Sequence, residues 1–529
     1  LTYTRLWSHA AEVVRRLNSL GVGRNDRVAL VLPNGPEAAA AFLAVACCAA
    51  AAPLNPAYRA NEFDFYLSDL NAKALIVQAG IDSPARAVAQ KRSIPIIELS
   101  PAAEDTAGLF TLRGEGKPCE SHCGFAEPQD IALILHTSGT TARPKRVPLT
   151  HANLLASAAN IAAVLRLGEN DRCLNVMPLF HIHGLIGAVL SSIRAGAGVV
   201  CTPGFHAPQF SDYLEEFRPT WYTAVPTMHQ AIVARFKEDG EALARSSLRF
   251  IRSSSAPLPP KVMADLEDLF QVPVVEAYGM TEASHQIASN PLPPHERKAG
   301  SVGLPTGTRV GIMDESGKLL PRGEAGEIVL RGANLTRGYE NDGGASGTAF
   351  LRGWLRTGDL GHFDKDGYLF ITGRIKEIIN RGGEKVAPSE VEQVLTDHPF
   401  VAQAVTFGIP HTKLGEDVAA AVVLHENASA TEREIQEFAA LRLAEYKIPR
   451  RVVFVDEIPK NAAGKLQRLG LAEKLGLTVS DQTQADRKGE FIAPRTPDEE
   501  KLAKIWAQVL RVEAVGIHDN FFDLGGDSI

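Results

Sequence analysis

The chain contains few cysteines, no excess of basic residues and no apolar run as long as a membrane span. Six cysteines in 529 residues are too few for a disulfide framework. The 55 lysines and arginines are outnumbered by 62 acidic residues, so the chain has no basic field to hold a nucleic-acid backbone. We therefore expect neither a disulfide-stabilised domain nor a nucleic-acid partner.

Two stretches are apolar enough to be tested as membrane segments. Residues 38–52 are mostly alanine and end at Pro53, but about fifteen residues fall short of the roughly twenty that span a bilayer. We interpret them as a buried helix that contains Cys47 and Cys48. Residues 185–200 are interrupted by serines, an arginine and glycines, which assigns them to a core. Because the chain also begins without a signal-peptide pattern, we expect a cytoplasmic protein with no membrane partner.

One short segment has the composition of half a zinc site, with Cys119, His122 and Cys123 close together. No second Cys/His pair follows at a suitable spacing in the sequence, so we interpret the segment as a solvated loop.

Apolar runs of strand length alternate with helix-length periodic segments through the first 290 residues. Buried strands are predicted at 131–135, 221–225, 248–251 and 272–276. This alternation predicts parallel sheets covered by helices. From about 300 to 372 the chain changes to short β-rich pieces with turn signals at Asp314–Gly317 and Asp364–Gly367, which indicates a smaller β subdomain.

We therefore predict an α/β protein with a large N-terminal domain of parallel-sheet subdomains plus a β subdomain. A small α/β domain and a truncated helical fragment follow it. The predicted boundaries are 1–374 for the large domain, 375–475 for the small domain, 476–497 for a polar linker and 498–529 for the last fragment. A helix is predicted at 388–395, and Thr496-Pro497-Asp498-Glu499 predicts another through a capping box. Since residue 1 is not Met and the last domain is incomplete, we expect a fragment of a longer chain.

A loop rich in small and hydroxyl residues follows the strand predicted at 131–135. Its candidate phosphate-binding residues are Thr137, Ser138, Gly139, Thr140, Thr141 and Lys145. Small residues let backbone amides approach phosphate oxygens, hydroxyls add donors, and the lysine adds charge. The loop is not a Walker motif, because no Ser or Thr follows the lysine and the glycine spacing differs. On its own, such a loop is also typical of a plain strand-to-helix connection.

Further motifs follow in the order that a nucleotide site requires. Residues 276–282 end a buried strand with an aromatic ring, a hydroxyl and a carboxylate, which suit an adenine, a phosphate and Mg2+. Asp359 can accept both ribose hydroxyls, and Arg374 offers a second ribose or phosphate contact. Lys465 completes the set on a glycine-containing loop.

With these motifs, residues 1–475 resemble the adenylate-forming superfamily of acyl-CoA synthetases, luciferases and peptide-synthetase adenylation domains. The resemblance implies an enzyme that uses ATP, Mg2+ and a thiol acceptor. It implies that Tyr278 stacks on the adenine of ATP or AMP, Thr281 contacts the α-phosphate, Glu282 holds Mg2+, and Asp359 and Arg374 bind ribose. The remaining residues that it implies for the nucleotide site are Ser255, Ala256, Pro257, Ala277 and Gly279.

The resemblance also implies roles outside the nucleotide site. Lys465 would bridge the substrate carboxylate and the α-phosphate, and His181 would gate the acid pocket. Lys376 would be the hinge of a mobile small domain, and Gly382 and Gly383 would line the thiol tunnel. The sequence departs from the family pattern at Ala142 and Arg146, where the family usually has glycines.

Two features of the sequence predict the acid pocket. One is a missing Asp, and the other is a likeness to one branch of the superfamily. Peptide synthetases hold the amino group with an Asp just after the segment that corresponds to residues 178–181. No carboxylate follows here, which disfavours an α-amino acid. Segments 176–185, 221–230, 249–258 and 276–294 resemble the oxalate–CoA ligase branch. That likeness implies a small polar pocket lined by His181, Ser253, Ser254 and His285.

The state of His285 stays open at this point. A protonated ring would pair with a second carboxylate, a neutral ring would donate to an uncharged acid, and a core histidine bonded to backbone is the structural alternative.

Residues 519–528 resemble the attachment site of a thiolation carrier domain, which implies phosphopantetheine on Ser528. The enzyme would then load its own carrier within a peptide- or polyketide-synthetase-like system that has further domains downstream. Two alternatives remain. One has free CoA as the acceptor, and the other is a nucleotide-binding scaffold whose site has degenerated.

Overall fold

The computed structural model describes the chain except residues 103–104, 120–121, 138–143, 237–242, 244–245, 341–346, 348, 412–413, 461–463, 478–491, 511–513, 518 and 520–529. It divides into two compact units. The first comprises Leu1–Ile378, Thr396–Pro399 and Glu457–Gln467. The second comprises Ile379–Leu395, Phe400–Asp456 and the described residues from Arg468 onward.

The first sheet of unit 1 has seven strands in the order β5-β4-β3-β1-β2-β6-β7. Its inner strands are parallel, and β5 and β7 close the two edges in antiparallel pairs. The strands are β1 (Arg27–Val31), β2 (Ala50–Pro53), β3 (Ala74–Gln78), β4 (Ile96–Pro101), β5 (Phe110–Arg113), β6 (Ile131–Thr137) and β7 (Lys145–Thr150). The helices are α1 (Tyr3–Ser19), α2 (Pro36–Ala46), α3 (Ala60–Leu70), α4 (Pro84–Lys91) and α5 (His151–Val164).

The second sheet also has seven strands, in the order β14-β13-β12-β11-β10-β8-β9. The strands β9, β8, β10, β11 and β12 are parallel, while β13 and β14 add antiparallel pairs at one edge. The strands are β8 (Arg172–Asn175), β9 (Gly198–Cys201), β10 (Trp221–Ala224), β11 (Phe250–Ser254), β12 (Val274–Met280), β13 (His285–Ser289) and β14 (Leu304–Pro305). Its helices are α6 (Ser191–Arg194), α7 (Phe210–Phe217), α8 (Pro226–Phe236) and α9 (Pro260–Phe270), with a buried π-helix at His183–Leu190.

A five-stranded, antiparallel β subdomain completes unit 1. Its strands are β15 (Arg309–Met313), β16 (Gly326–Arg331), β17 (Phe350–Leu351), β18 (Trp354–Phe363) and β19 (Leu369–Arg374). Both predicted turns form, because the amides of Gly317 and Gly367 donate to the carbonyls of Asp314 and Asp364. The predicted α/β class, with parallel-sheet subdomains and a β subdomain, is confirmed.

Unit 2 contains the sheet β21-β20-β23-β22, with β24 paired to β23. The strands are β20 (Ile379–Arg381), β21 (Glu384–Val386), β22 (Val401–His411), β23 (Gly415–Leu424) and β24 (Arg451–Phe454). Its helices are α10 (Pro388–Thr396), α11 (Glu432–Ala440), α12 (Leu471–Lys474) and α13 (Pro497–Leu510). The predicted capping box of α13 is present, since the amides of Thr496 and Glu499 each donate to the other residue's side chain.

The sequence interpretation of residues 38–52 was wrong in its second half. The helix α2 ends at Ala46, and Ala50–Pro53 forms the inner strand β2, between β1 and β6. A run of buried alanines carries no periodicity, and a parallel strand covered on both faces is also continuously apolar. Cys47 consequently caps the helix instead of lying inside it.

The edge strand β7 was also missed. The sequence predicted a loop at residues 137–145 and no strand after it.

Within the described ranges, no helix combines the length and hydropathy needed to cross a membrane.

Candidate active site

The candidate site lies where parallel strands of the second sheet end. Strands β10, β11 and β12 are neighbours, so their carboxyl ends bring Thr223, Ser253 and Ala277 to the same edge. Crevices at this edge of open α/β sheets are the usual place for ligands. Of the residues predicted for the nucleotide and for the acid, those of the segments 253–257 and 277–282 lie on or directly after these strands.

Tyr278, Asp359 and Arg374 form one hydrogen-bonded group. The Tyr278 hydroxyl donates to Asp359 Oδ2 at 2.5 Å, and Arg374 Nε donates to Asp359 Oδ1 at 2.8 Å. Asp359 and Arg374 are directly paired across β18 and β19. Burial, together with the Asp359 carboxylate, raises the pKa of Tyr278 well above its usual value, so the phenol stays a donor. The structure thus brings the three predicted ribose and adenine residues together.

The backbone between β12 and β13 fits closely around Gly279. A Cβ atom at this position would lie 1.7 Å from the carbonyl oxygen of His285, so no residue larger than glycine fits. Ser255, which begins the predicted Ser255-Ala256-Pro257 segment, has a φ of 77° and bonds His183 Nδ1 through its hydroxyl at 3.0 Å.

Glu282 is joined to Lys145 through an aromatic residue that sequence reasoning missed. The hydroxyl of Tyr339 donates to Glu282 Oε1 at 2.7 Å, and Lys145 Nζ lies 4.6 Å from the centre of the Tyr339 ring. Burial raises the pKa of Glu282. Thr281 precedes it in a short 3-10 turn, Thr281–Ala283.

The strands on both sides of the predicted phosphate loop are paired through Thr137 and Lys145. The loop residues Ser138, Gly139, Thr140 and Thr141, and also Ala142, lie outside the described residues. Arg146 is buried, with Nε 3.1 Å from Asp69 and Nη1 3.7 Å from Glu340. Its departure from glycine therefore has a structural role, since it joins the base of the loop to two carboxylates.

Lys465 lies on a short hairpin that groups with unit 1. The Gln467 amide donates to the Pro459 carbonyl at 2.8 Å, and Lys460 and Leu466 form an antiparallel bridge. Desolvation and the charge of Arg374 lower the pKa of Lys465 to about 8, against the opposing effect of nearby carboxylates. The carboxylates are those of Asp359 and Glu282, so Lys465 lies in the electrostatic field of the predicted nucleotide site.

Arg252 is a fully buried cation in the predicted acid pocket, in the middle of β11. Its Nη2 donates to His285 Nε2 at 3.0 Å and to Gln286 Oε1 at 2.9 Å. Its Nη1 lies 3.3 Å from Thr223 Oγ1 and 3.5 Å from His183 Nε2. In the described part of the chain, none of its acceptors carries a negative charge. Burial lowers its pKa to about 10, which leaves it charged at neutral pH.

The guanidinium decides the state of the neighbouring His285. Because Arg252 can only donate, Nε2 of His285 must accept, which makes that ring neutral. His183 Nε2 lies 2.6 Å from Thr223 Oγ1 and 3.5 Å from Arg252 Nη1. The rings stack with their centroids 4.9 Å apart. Burial holds the pKa of both well below the usual value, and the charge of Arg252 adds to it. Of the states of His285 that the sequence left open, the neutral ring agrees with this contact. The positive charge lies on Arg252.

The other predicted pocket residues differ in how their polar atoms are used. The Ser254 hydroxyl donates to the Ala277 carbonyl at 2.9 Å, which leaves it a structural role. By contrast, Ser253 Oγ and Arg252 Nε are buried and lack a partner among the described residues. His181 Nδ1 accepts from the His183 amide at 3.3 Å, and burial and Lys465 lower the pKa of His181 to about 3. The pocket therefore offers neutral donors and acceptors around one cation.

Comparison with known proteins shows the family of the chain. The family described as AMP-binding enzyme matches residues 1–340, and its C-terminal domain matches residues 390–465. The chain belongs to the AMP-binding enzymes, the adenylate-forming superfamily. A phosphopantetheine attachment site matches residues 500–529.

Curated relatives of this AMP-binding enzyme include two oxalate–CoA ligases. That of Arabidopsis thaliana is 45% identical, over 89% of this chain and 93% of its own length. That of Saccharomyces cerevisiae is 42% identical, over 85% and 87%. Among solved structures, ATP-bound MatB from Rhodopseudomonas palustris has a TM-score of 0.81 and 30% identity, over 89% of this chain and 93% of MatB. The chain is an AMP-forming acid–thiol ligase.

Four further residues of this AMP-binding enzyme were predicted to serve the hinge, the thiol path and the carrier attachment site. Lys376 lies in the short turn Ile375–Glu377, just before the unit boundary at Ile378. Gly382 and Gly383 form the turn between β20 and β21 in unit 2, with φ values of 60° and 102°. Ser528 lies outside the described residues. Their roles remain predictions.

Sequence reasoning missed Arg252, His183 and Tyr339. The strand predicted at 248–251 ended one residue before Arg252, and three serines follow Arg252, so no apolar pattern in the sequence singled it out. His183 follows the predicted His181 at a spacing of two, but nothing local indicates which of the two rings faces the arginine.

The packing around His285 gives a prediction about Gly187. A Cβ at this position would lie 2.5 Å from His285 Nε2 and 3.1 Å from His183 Cδ2. We expect Gly187→Ala to displace the histidine pair and to lower the free energy of unfolding by about 1–3 kcal/mol in urea. Gly168→Ala is the control, since nothing lies within 4 Å of its Cβ position. Equal stability of the two variants would contradict the described packing.

Proposed function

We propose that this ligase activates a small dicarboxylic acid of the oxalate type and transfers its acyl group to the phosphopantetheine thiol on Ser528. In the first step a carboxylate oxygen attacks the α-phosphorus of ATP, and pyrophosphate leaves. In the second step the thiol sulfur attacks the acyl carbon, AMP leaves, and the thiol gives up its proton. The observation that best supports this class of acid is the buried charge of Arg252, whose hydrogen-bond acceptors in the described residues are all neutral.

The charge balance of the pocket favours a second carboxylate on the substrate. A buried guanidinium is expensive unless an anion compensates it. The substrate's remote carboxylate would supply that anion, while the free Ser253 hydroxyl and the neutral His285 supply hydrogen bonds. A fatty acid would leave the charge uncompensated. The names of the two oxalate–CoA ligase relatives support the same class.

The other end of the acid would react beside Lys465. The ammonium group neutralises charge that accumulates on the carboxylate and the α-phosphate, a preorganised electrostatic contribution. Asp359 accepts from the ribose hydroxyls, and Tyr278 covers the adenine. The desolvation of Lys465 strengthens its interaction with such charge.

The residues also fit an Mg2+ ion that arrives with ATP. Mg2+ is usually held by one or two carboxylates together with substrate phosphates, and Glu282 provides one carboxylate that Tyr339 orients. No group of three or more possible metal-ligating side chains occurs in the described ranges, as expected for an ion shared with the substrate. When bound, Mg2+ would compensate phosphate charge, and Thr281 and Lys145 would add contacts.

Thiol transfer requires a second arrangement. The sulfur must reach the acyl carbon on a side that the Lys465 hairpin occupies, so the hairpin has to withdraw. Lys376 is the proposed hinge, and Gly382 and Gly383 are proposed to line the path of the thiol. Free CoA is the alternative acceptor.

A pyrophosphate-exchange screen tests the acid class. With oxalate, malonate, pyruvate, aromatic acids and amino acids, we expect the dicarboxylates to support the fastest exchange. Arg252→Met should lower kcat/KM for oxalate by roughly a hundredfold, because truncating one member of a buried charge pair is costly. The loss for acetate should be much smaller.

The control is Arg433→Met, since the side chain of Arg433 is exposed. Equal losses for oxalate and acetate in the Arg252 variant would contradict the assignment. ATP binding without any exchange would select the degenerate scaffold.

Lys465→Ala should separate the two half-reactions. We expect adenylation to slow by roughly a hundredfold or more, while thioester formation from supplied acyl-adenylate is spared. The pKa of Lys465 is lowered to about 8, so the catalytic ammonium is present below that pH and is lost as the pH rises through it. The wild-type kcat/KM for adenylation should therefore fall above pH 8. A falling limb that persists in the variant would contradict the role.

The Ser528→Ala variant tests which thiol is the acceptor. We compare acyl thioester on the protein with release of CoA thioester, in the wild type and in Ser528→Ala. Loss of protein-bound thioester in the variant supports the carrier in cis. Release of CoA thioester at an equal rate by both proteins, with no protein-bound thioester in either, would make CoA the acceptor.

A further inference from the structure

A side chain at the start of α8 bonds the hairpin that carries Lys465. Thr227 Oγ1 donates to the carbonyl of Gly464 at 2.9 Å, although the two residues are 237 positions apart in the sequence. Gly464 directly precedes Lys465. A Cβ on Gly464 would lie 3.3 Å from Val225 Cγ2 and 3.6 Å from Thr227 Oγ1, so the backbone of the hairpin packs against this helix start.

The hydroxyl of Thr227 is not needed to begin α8. Pro226 is the first residue of the helix, and the amides of Met228 and His229 donate to the Val225 carbonyl. The Thr227 side chain is therefore available for a contact outside its own helix. Because it bonds a backbone carbonyl, it fixes the path of the hairpin whatever side chains the hairpin carries.

The hairpin can transmit this restraint to Lys465. Its two arms are joined by the bond from the Gln467 amide to the Pro459 carbonyl at 2.8 Å, and Ile458 at its base is fully buried. The lysine itself has a flexible stem of four carbons. A fixed backbone on either side of it therefore narrows the positions that its ammonium group can take.

We propose that Thr227 is a positioning residue that holds the Lys465 hairpin in the arrangement used for acid adenylation. The inference rests on the proposed function of Lys465. A single neutral hydrogen bond changes a conformational equilibrium by about fivefold to tenfold, which is enough to favour one arrangement and weak enough to break in each cycle. Release of this bond accompanies withdrawal of the hairpin before thiol transfer.

The test compares Thr227→Val, which keeps the shape and removes the donor, with Thr227→Ser, which keeps the donor. Pyrophosphate exchange with oxalate reports adenylation, and supplied acyl-adenylate reports acyl transfer. We expect Thr227→Val to lower kcat for exchange about fivefold to tenfold without reducing acyl transfer. Thr227→Ser should restore exchange. In the Lys465→Ala background, Thr227→Val should cause no further loss, because the residue acts through the lysine.

The control is Thr220→Val, which removes a hydroxyl that bonds Asp171 just before strands β8 and β10 and should not separate the half-reactions. Equal loss in both half-reactions of Thr227→Val, an additive loss with Lys465→Ala, or unchanged exchange would each overturn the positioning role. Absence of exchange in the wild type would instead count against the proposed function, so the two failures are distinguishable.

Discussion

The candidate active site of this AMP-binding enzyme depends on positive charge that is removed from water. Arg252 is fully buried and bonds only neutral acceptors within the described residues, while desolvation lowers the pKa of Lys465 to about 8 against the opposing effect of Asp359 and Glu282. Both charges are costly in the unliganded protein. In the proposed function, the anions of ATP and of a carboxylic acid would offset this cost, so the same groups would serve charge recognition and catalysis.

The surrounding polar groups determine which side chains are charged and how the charged ones are oriented. Arg252 forces His285 to be a neutral acceptor, so the second positive charge that its protonation would bring is excluded. On the nucleotide side, Tyr278 and Arg374 fix both oxygens of Asp359. Orientation of this kind keeps the site preorganised, so little rearrangement is needed when charge develops.

Much of the fold and of the nucleotide site could be predicted from the sequence. The residues around Tyr278 and Asp359 follow recognisable strands, and short motifs of this kind determine their own local geometry. The acid pocket was less predictable, because the role of Arg252 depends on which groups the neighbouring strands place around it. The state of His285 follows from that contact and from no local pattern. The strand Ala50–Pro53 was missed because a buried alanine run has no periodicity.

The most direct test of this account is the number of protons taken up when the substrates bind. Oxalate and a non-hydrolysable ATP analogue would be titrated calorimetrically at pH 8 in buffers of different ionisation enthalpy. Their negative charges should raise the pKa of Lys465, so the wild type should take up about half a proton more than Lys465→Ala. Equal proton uptake by the two proteins would show that this lysine does not meet the substrates' charge, and would contradict the account.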